Sequence, residues 1–243
     1  MLADLDCQID EVGGCAVLVV RGELGRRGAQ PLENVLTKLV FDRGRVFVDV
    51  SGLTVSWPSA LAILPTVLAK AGGWPLARLV LIGPGDALRR RLREAGISAT
   101  VPVAEDWPEA HRLIERRPDV VIRWRDIPGD SDAGLLARAA SWEVCQDWEL
   151  TELGIPAAIV ATELVTNAVR HARTGCRLTF TVHRFGLRIS LRDNRRASEA
   201  ELRAIRAGNG SRSGLVVVRE LSRRWGVMPD EHGKTVWAVL PAQ

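Results

Sequence analysis

The sequence lacks the features of a secreted or membrane-spanning protein, and of one stabilised by zinc or by a disulfide framework. Its N-terminus has no basic segment followed by an apolar core, which a secretory signal would show. Charge or glycine interrupts its apolar runs before the ~18 residues that a membrane span needs. The four cysteines form no CxxC pair and have no histidine at ligand spacing: Cys7, Cys15, Cys145 and Cys176. We therefore expect a cytoplasmic protein that spans no membrane and keeps reduced, largely buried thiols.

A strong excess of charge of either sign is also missing. Lys and Arg number 33 against 29 Asp and Glu, which gives a net charge of +4. The densest basic run, residues 89–93, has Leu88 and Leu92 four residues apart, as in an amphipathic helix with a solvated basic face. We expect no direct binding of nucleic acid.

What is present is an ordinary globular composition, with 47% hydrophobic and 26% charged residues in a chain of 243. This length suits one large or two small domains, and each half is long enough to bury a core of its own. Pro118 disfavours helix at Arg117, so we place the boundary there. The predicted domains are residues 1–117 and 118–243.

The first half alternates short β-branched runs with helical spacing of apolar residues. Such alternation predicts an α/β fold, with a largely parallel sheet covered by helices. The predicted strands are residues 16–20, 46–50, 78–82 and 99–103, and the predicted helices are residues 31–40, 59–71, 86–95 and 106–116.

Three stretches of this half resemble the STAS domain, the fold of anti-sigma-factor antagonists, over about residues 8–117. They are Val-Arg-Gly-Glu-Leu at 20–24, Val-Asp-Val-Ser-Gly-Leu at 48–53, and a Ser-bearing turn into Ala60. The resemblance places Ser59 at the family's phosphoacceptor position. The family's Asp-Ser-Ser-Gly turn reads Trp-Pro-Ser-Ala here, so the acceptor hydroxyl is kept while the two residues before it are replaced. The alternative is that Ser59 is simply a first-turn helix residue after Pro58.

The second half contains a polar line on one helix. A helix led by Pro156 and running to about residue 173 carries Glu163, Asn167 and His171 at i, i+4 and i+8, on one face. A hairpin at 177–192, a Gly-rich loop at 193–212, a helix at 214–225 and a closing strand at 235–240 follow. Helices grouped against an antiparallel sheet form an α/β sandwich.

This half resembles the histidine-kinase-like ATPase domain, and most closely the anti-sigma-factor serine/threonine kinases. Four motifs match in order: the N-box at 163–171, the Asp of the first glycine box at Asp193, the second glycine box at 211–215 and the terminal box at 233–235. Two departures stand out. Asp193 is followed by Asn-Arg-Arg-Ala instead of glycines, and the second box keeps one glycine, Gly214, where two are usual.

The resemblance implies ATP and Mg²⁺ as cofactors. Asn167 would hold Mg²⁺, which binds through few protein oxygens and the nucleotide phosphates. Glu163 would be the general base that takes the proton of an attacking serine hydroxyl. Asp193 would accept a hydrogen bond from the adenine amino group, Gly214 would let the backbone approach the phosphates, and Thr235 would support the adenine contact through its hydroxyl.

The implied function is an ATP-binding serine/threonine protein kinase of the anti-sigma-factor type, fused to a STAS domain and regulating transcription by partner switching. Its partner would be a STAS-domain protein or a sigma factor, and the resemblance suggests a homodimer through the ATPase domain. A non-catalytic ATPase-fold module that binds regulatory partners stays open as the alternative. A histidine kinase is disfavoured, because no dimerisation helix with a phosphoacceptor histidine precedes this domain and His171 lies inside the N-box.

Overall fold

The chain folds into two compact units, Met1–Ile122 and Arg123–Gln243. They are seen in a computed structural model that describes residues 5–12, 14–172, 175–183, 186–206 and 214–241. The boundary predicted at 117/118 lies a few residues before this division.

The N-terminal unit is built on a five-stranded sheet. Its strands are β1 (Asp6–Val12), β2 (Cys15–Leu24), β3 (Arg45–Val55), β4 (Arg78–Ile82) and β5 (Val103–Ala104), in that order across the sheet. The first two strands are antiparallel and the other neighbours are parallel, which confirms the largely parallel sheet. β1 was not predicted, and the strand predicted at 99–103 is wrong: a 3-10 turn, Ile97–Ala99, leads into the two-residue β5.

Helices cover both faces of this sheet: α1 (Arg26–Arg43), α2 (Ile63–Lys70), α3 (Asp86–Glu94) and α4 (Trp107–Ile114). The first three share one core with the sheet, in which Leu36, Val67 and Leu92 are fully buried. α4 covers the other face and packs Ala110 and Ile114 against the sheet residues of a second core. The α/β class predicted for this half is confirmed.

The C-terminal unit has a second five-stranded sheet, of β6 (Val121–Ile127), β7 (Cys176–His183), β8 (Gly186–Asp193), β9 (Arg224–Asp230) and β10 (Gly233–Pro241). The strand order is β6-β7-β8-β10-β9, and β8 is antiparallel to both β7 and β10. Along β8, Leu187, Ile189 and Leu191 are buried, while Arg188 and Ser190 are partly exposed and Arg192 is exposed. One face of the sheet therefore belongs to the core.

Its helices are α5 (Ala133–Asp147), α6 (Gly154–Ala172), α7 (Glu199–Arg206) and α8 (Gly214–Leu221). α6 is the central one: it packs on α5, α8 and the sheet, and its Val160 and Val165 are fully buried. This confirms the α/β sandwich. By length and composition the stretch Thr151–Arg170 could cross a membrane, contrary to the expectation that every apolar run is too short, but half of it is buried inside this unit.

Two of the four free cysteines are buried, and burial raises the pKa of Cys145 and of Cys176 to about 11. Nearby Glu152 adds to the shift at Cys145, and Asp193 adds to it at Cys176. At pH 8 only about one thiol in 10³ is then the reactive thiolate.

We therefore expect iodoacetamide to alkylate Cys145 and Cys176 in the folded protein at least about 100-fold more slowly than in urea, with a rate that rises as the pH approaches 11. Half-buried Cys15 is the internal control. Peptide mass spectrometry over time measures each thiol, and equal rates in folded and unfolded protein would contradict the prediction.

Candidate functional site

Helix α6 presents two polar side chains toward one side of the unit. Glu163 and Asn167 lie one turn apart and are half-buried, whereas Leu164 and Ala168 between and beside them are buried in the core. This is the polar line that the i, i+4 spacing predicts. The side chain of His171, the third member of the predicted line, lies outside the described residues.

The first residue of α8 touches this polar line. A Cβ atom on Gly214 would lie 2.2 Å from Oε2 of Glu163 and 3.2 Å from Nδ2 of Asn167. The structure therefore brings three of the predicted site residues together, and the lack of a side chain at Gly214 lets the Glu163 carboxylate lie against the start of α8. Residues 211–213, the rest of the second glycine box, lie outside the described residues.

The position of Gly214 also indicates which ligands could bind where α8 begins beside α6. The first N–H groups of a helix have no partner within the helix, and the helix dipole makes that end favourable to anions. Gly214 brings the beginning of α8 beside a carboxylate and an amide that can hold a cation. An anion and its counter-cation could thus be bound side by side.

Asp193 ends β8 and is 2% exposed. Both of its carboxylate oxygens have protein partners. Oδ1 accepts a hydrogen bond from the backbone N–H of Arg195 at 3.1 Å, and Oδ2 lies 2.6 Å from Nζ of Lys234, whose side chain is 7% exposed. The predicted adenine acceptor is therefore a buried carboxylate that already faces a buried ammonium group.

A second glycine makes this pairing possible. Gly233 begins β10, and a Cβ atom on it would lie 2.0 Å from the carbonyl oxygen of Asp193 and 3.0 Å from Cα of Asn194. The backbones of β8 and β10 therefore meet at their closest where the terminal box begins. Lys234 is in register with Asp193, so the two side chains lie on the same face of the sheet.

Thr235 occupies the other face. It is in register with Arg192, which is exposed, and successive residues of a strand point to opposite sides. The structure brings Lys234 beside Asp193, and Thr235, predicted to support the adenine contact through its hydroxyl, lies on the opposite face of β10. Alternation along the strand could have found Lys234, because Val236, Ala238 and Leu240 are all buried on its side.

The loop after Asp193 is held to the β9–β10 hairpin. Nε of Arg196 donates to the carbonyl oxygen of Glu231 at 2.6 Å. In the hairpin, Asp230 accepts a hydrogen bond from the backbone N–H of His232 at 2.8 Å and pairs with Arg192 at 3.2 Å. The N–H of His232, followed by Arg192, lowers the pKa of Asp230 below its ordinary value. The segment after Asp193 is thus held to the β9–β10 hairpin by the hydrogen bond from Arg196.

Ser59 in the N-terminal unit is exposed. It is the second residue of a short 3-10 helix, Pro58–Ala62, that leads directly into α2. Trp57, two residues earlier, carries the guanidinium group of Arg26 over its ring, 5.4 Å from the centroid. The predicted acceptor hydroxyl is therefore on an exposed residue, and the Arg26 cation lies over the ring of Trp57, two residues before it.

The residues present fit a nucleotide with Mg²⁺. Asn167 and Glu163 offer hard oxygen donors, and the described residues contain no group of three His, Cys, Asp or Glu that could hold a metal by itself. Mg²⁺ commonly takes one or two protein ligands and completes its shell with phosphates and water. Because Gly214 has no side chain, the start of α8 can lie directly against these donors.

Comparison with known sequences identifies the C-terminal unit. Residues 154–243 match the family described as the histidine kinase-, DNA gyrase B- and HSP90-like ATPase. The matched segment contains α6, Gly214, Asp193 and Lys234, so the whole site described above lies within it. This match confirms the ATPase resemblance predicted from the N-box and the terminal box. No curated protein matches the chain.

Solved structures similar to the chain cover the N-terminal unit. An anti-sigma-factor antagonist from Mycobacterium paratuberculosis is 21% identical, with a TM-score of 0.41 over 46% of this chain and 96% of that one. A putative antagonist from Thermotoga maritima is 15% identical, with a TM-score of 0.36 over 45% and 95%. The Bacillus cell fate determinant SpoIIAA in its phosphorylated form is 16% identical, with a TM-score of 0.33 over 44% and 99%.

These likenesses concern the fold alone. The order and the directions of the strands agree with the α/β fold predicted for the first half. Residues 154–243 thus match the ATPase family, and the N-terminal unit is similar to solved anti-sigma-factor antagonists.

Proposed function

We propose that this chain is a regulator of the anti-sigma-factor, partner-switching type, in which the ATPase unit binds ATP with Mg²⁺ and phosphorylates a serine on a STAS domain. The serine is Ser59 of the chain itself or its counterpart in a partner. The observation that carries the proposal is the contact of Gly214, at the start of α8, with Glu163 and Asn167. It lies inside the segment that matches the ATPase family.

Each residue then has one task. When bound, ATP would supply the phosphoryl group and Mg²⁺ would neutralise part of its charge. Asn167 holds the metal through its amide oxygen, and Asp193 receives the base at the other end of the site. Glu163 would accept the proton of the serine hydroxyl as the serine oxygen bonds to the γ-phosphorus, while the bond from that phosphorus to the bridging oxygen breaks and ADP leaves. Gly214 keeps the start of α8 close enough for its N–H groups to face the phosphates.

Phosphorylation of Ser59 would change the surface that the N-terminal unit offers to other proteins. A phosphoserine carries about two negative charges at neutral pH and three acceptor oxygens. Here it would stand on an exposed residue, two positions from the pair formed by Trp57 and Arg26. A partner that binds the unmodified surface would lose affinity, which is the basis of switching between a STAS protein and a sigma factor. We also propose that the protein is cytoplasmic and that it dimerises through the ATPase unit.

A second function is favoured by one observation. Both oxygens of Asp193 are already engaged by protein groups, and no glycine follows Asp193 directly. A unit of this kind could bind nucleotide, or partners alone, without transferring phosphate. The chain would then be a non-catalytic interaction module.

Calorimetric titration of ATP in the presence of Mg²⁺ tests nucleotide binding. We expect the wild type to bind and Asn167→Ala to bind at least about 10-fold more weakly, a difference of about 1.4 kcal/mol. The loss should disappear when Mg²⁺ is replaced by EDTA, because the amide acts through the metal. Asn34→Ala is the matched control, since it removes the same group from an exposed position on α1.

The same samples separate the two functions. Incubation with ATP and Mg²⁺, alone or with a supplied STAS protein, followed by mass spectrometry should reveal phosphoserine. Binding without phosphoserine would favour the interaction module. If the wild type fails to bind ATP in calorimetry and in equilibrium dialysis, both ATP-dependent phosphorylation and nucleotide binding by an interaction module are refuted.

A further inference from the structure

Lys234 is the buried group whose chemistry the proposed function does not use. Its side chain is 7% exposed, and its Nζ lies 2.6 Å from Oδ2 of Asp193. The contact is close but poorly angled for a hydrogen bond, and Nζ has no hydrogen-bond acceptor among the residues that the structure describes. A buried ammonium group thus faces a single carboxylate.

This arrangement is unfavourable for a purely structural residue. An ammonium group has three N–H donors. A buried donor without an acceptor loses its hydrogen bonds to water and gains none from the protein. A buried ion pair stabilises a fold only when its remaining hydrogen-bonding groups are also satisfied. Arg123, another deeply buried cation among the described residues of this unit, has several partners: it pairs with Asp147 and Glu143 and lies over the ring of Trp148.

The position of Lys234 indicates which ligand could supply the acceptor. Its partner Asp193 is the residue to which the proposed function assigns the adenine amino group. In adenine, that amino group is flanked by two ring nitrogens, N1 and N7, and both are hydrogen-bond acceptors. A carboxylate and an ammonium group 2.6 Å apart therefore match the donor and the neighbouring acceptor on one edge of the base.

We propose that Lys234 contacts the nucleobase: its ammonium group donates a hydrogen bond to a ring nitrogen of adenine beside the amino group that Asp193 receives. The inference rests on the proposed function, because it requires a purine nucleotide at Asp193. It assigns the second base contact to Lys234 instead of Thr235, which lies on the opposite face of β10. Bound nucleotide then gives the buried ammonium group a hydrogen-bond acceptor.

Base analogues test this in the wild-type protein. ATP, 1-deaza-ATP and 7-deaza-ATP are titrated calorimetrically with Mg²⁺; each analogue replaces one ring nitrogen by C–H and keeps the amino group. We expect one analogue to bind about 10-fold to 100-fold more weakly than ATP and the other to bind like ATP, as loss of a hydrogen bond to a charged group predicts. If both analogues bind as tightly as ATP, Lys234 does not contact the base.

Substitution of Lys234 links the effect to this side chain. In Lys234→Met, which keeps the length and removes the donors, the sensitive analogue and ATP should bind with equal affinity; in Lys234→Arg the difference should persist. A merely structural lysine would lower affinity for all three nucleotides alike and leave their ratio unchanged. Should Lys234→Met fail to fold, the comparison within the wild type and Lys234→Arg still decides.

The outcomes also separate this inference from the function on which it rests. If ATP binds but removing N1 or N7 has no effect, the contact from Lys234 is refuted and the ATP site stands. If ATP, 1-deaza-ATP and 7-deaza-ATP all fail to bind to the wild type, both are refuted.

Discussion

Replacing Gly233 by alanine should lower the free energy of unfolding of the ATPase unit by about 3 kcal/mol or more. The added Cβ would lie 2.0 Å from the carbonyl oxygen of Asp193, whereas carbon and oxygen atoms in contact are about 3.3 Å apart. The obstacle is backbone on a neighbouring strand, so no side chain can turn aside to make room. The ends of β8 and β10 must separate by roughly 1 Å, against the pairing that joins them.

Urea unfolding and hydrogen exchange measure this effect, because exchange reports on the two units separately. Protection should fall in peptides covering β8 and β10 and stay unchanged in the N-terminal sheet. Gly85→Ala is the control: the added Cβ has no heavy atom within 4 Å, and Gly85 only precedes the first turn of α3. It should change stability by at most about 1 kcal/mol. Equal midpoints for Gly233→Ala and the wild type would contradict the close approach.

The substitution should also weaken ATP binding, since the displaced backbone belongs to Asp193. Gly233, which allows the close approach of β8 and β10, would thus also affect nucleotide binding. If the folded Gly233→Ala protein binds ATP as tightly as the wild type, Asp193 does not hold the base. The measurement is calorimetric titration at a temperature where the variant is still native.

The helical parts of this site could be predicted because their information is local. Apolar spacing placed α6, and the i, i+4 pattern put Glu163 and Asn167 on one face of it. Gly214 could be assigned only through the family's motif, because its contact with Glu163 joins positions far apart in the chain. The structure gives a physical reason for that glycine: a methyl group would fill the space occupied by the Glu163 carboxylate.

The sheet contacts could not be predicted to the same depth. Which residue stands beside Asp193 depends on the register between β8 and β10, and a shift of one residue exchanges the two faces of a strand. The sequence therefore predicts a supporting role for Thr235 but does not reveal that Lys234 is the residue beside Asp193. In the N-terminal half, Val101 is fully buried in an irregular segment, so a short apolar run predicted a strand where the structure has a turn.

Replacing Glu163 by glutamine should abolish phosphoryl transfer while leaving nucleotide binding intact. Glutamine has the shape of glutamate, so the contact with Gly214 is preserved, but its neutral amide cannot accept the proton of the serine hydroxyl. General-base catalysis contributes about 10²-fold to 10⁴-fold to a rate. We expect the rate of phosphoserine formation to fall by at least about 10²-fold, with the affinity for ATP and Mg²⁺ within about 2-fold of the wild type.

Single-turnover transfer from γ-labelled ATP measures the rate, and fragment mass spectrometry locates the phosphate. Glu152→Gln is the matched control, because Glu152 is exposed and makes the same change of charge outside the site. On the acceptor side, Ser59→Ala should remove phosphate from the chain, and Ser56→Ala, at another exposed serine of the same loop, should not. Transfer that survives in Glu163→Gln would remove Glu163 from the chemistry and leave positioning by Asn167 as the source of the rate.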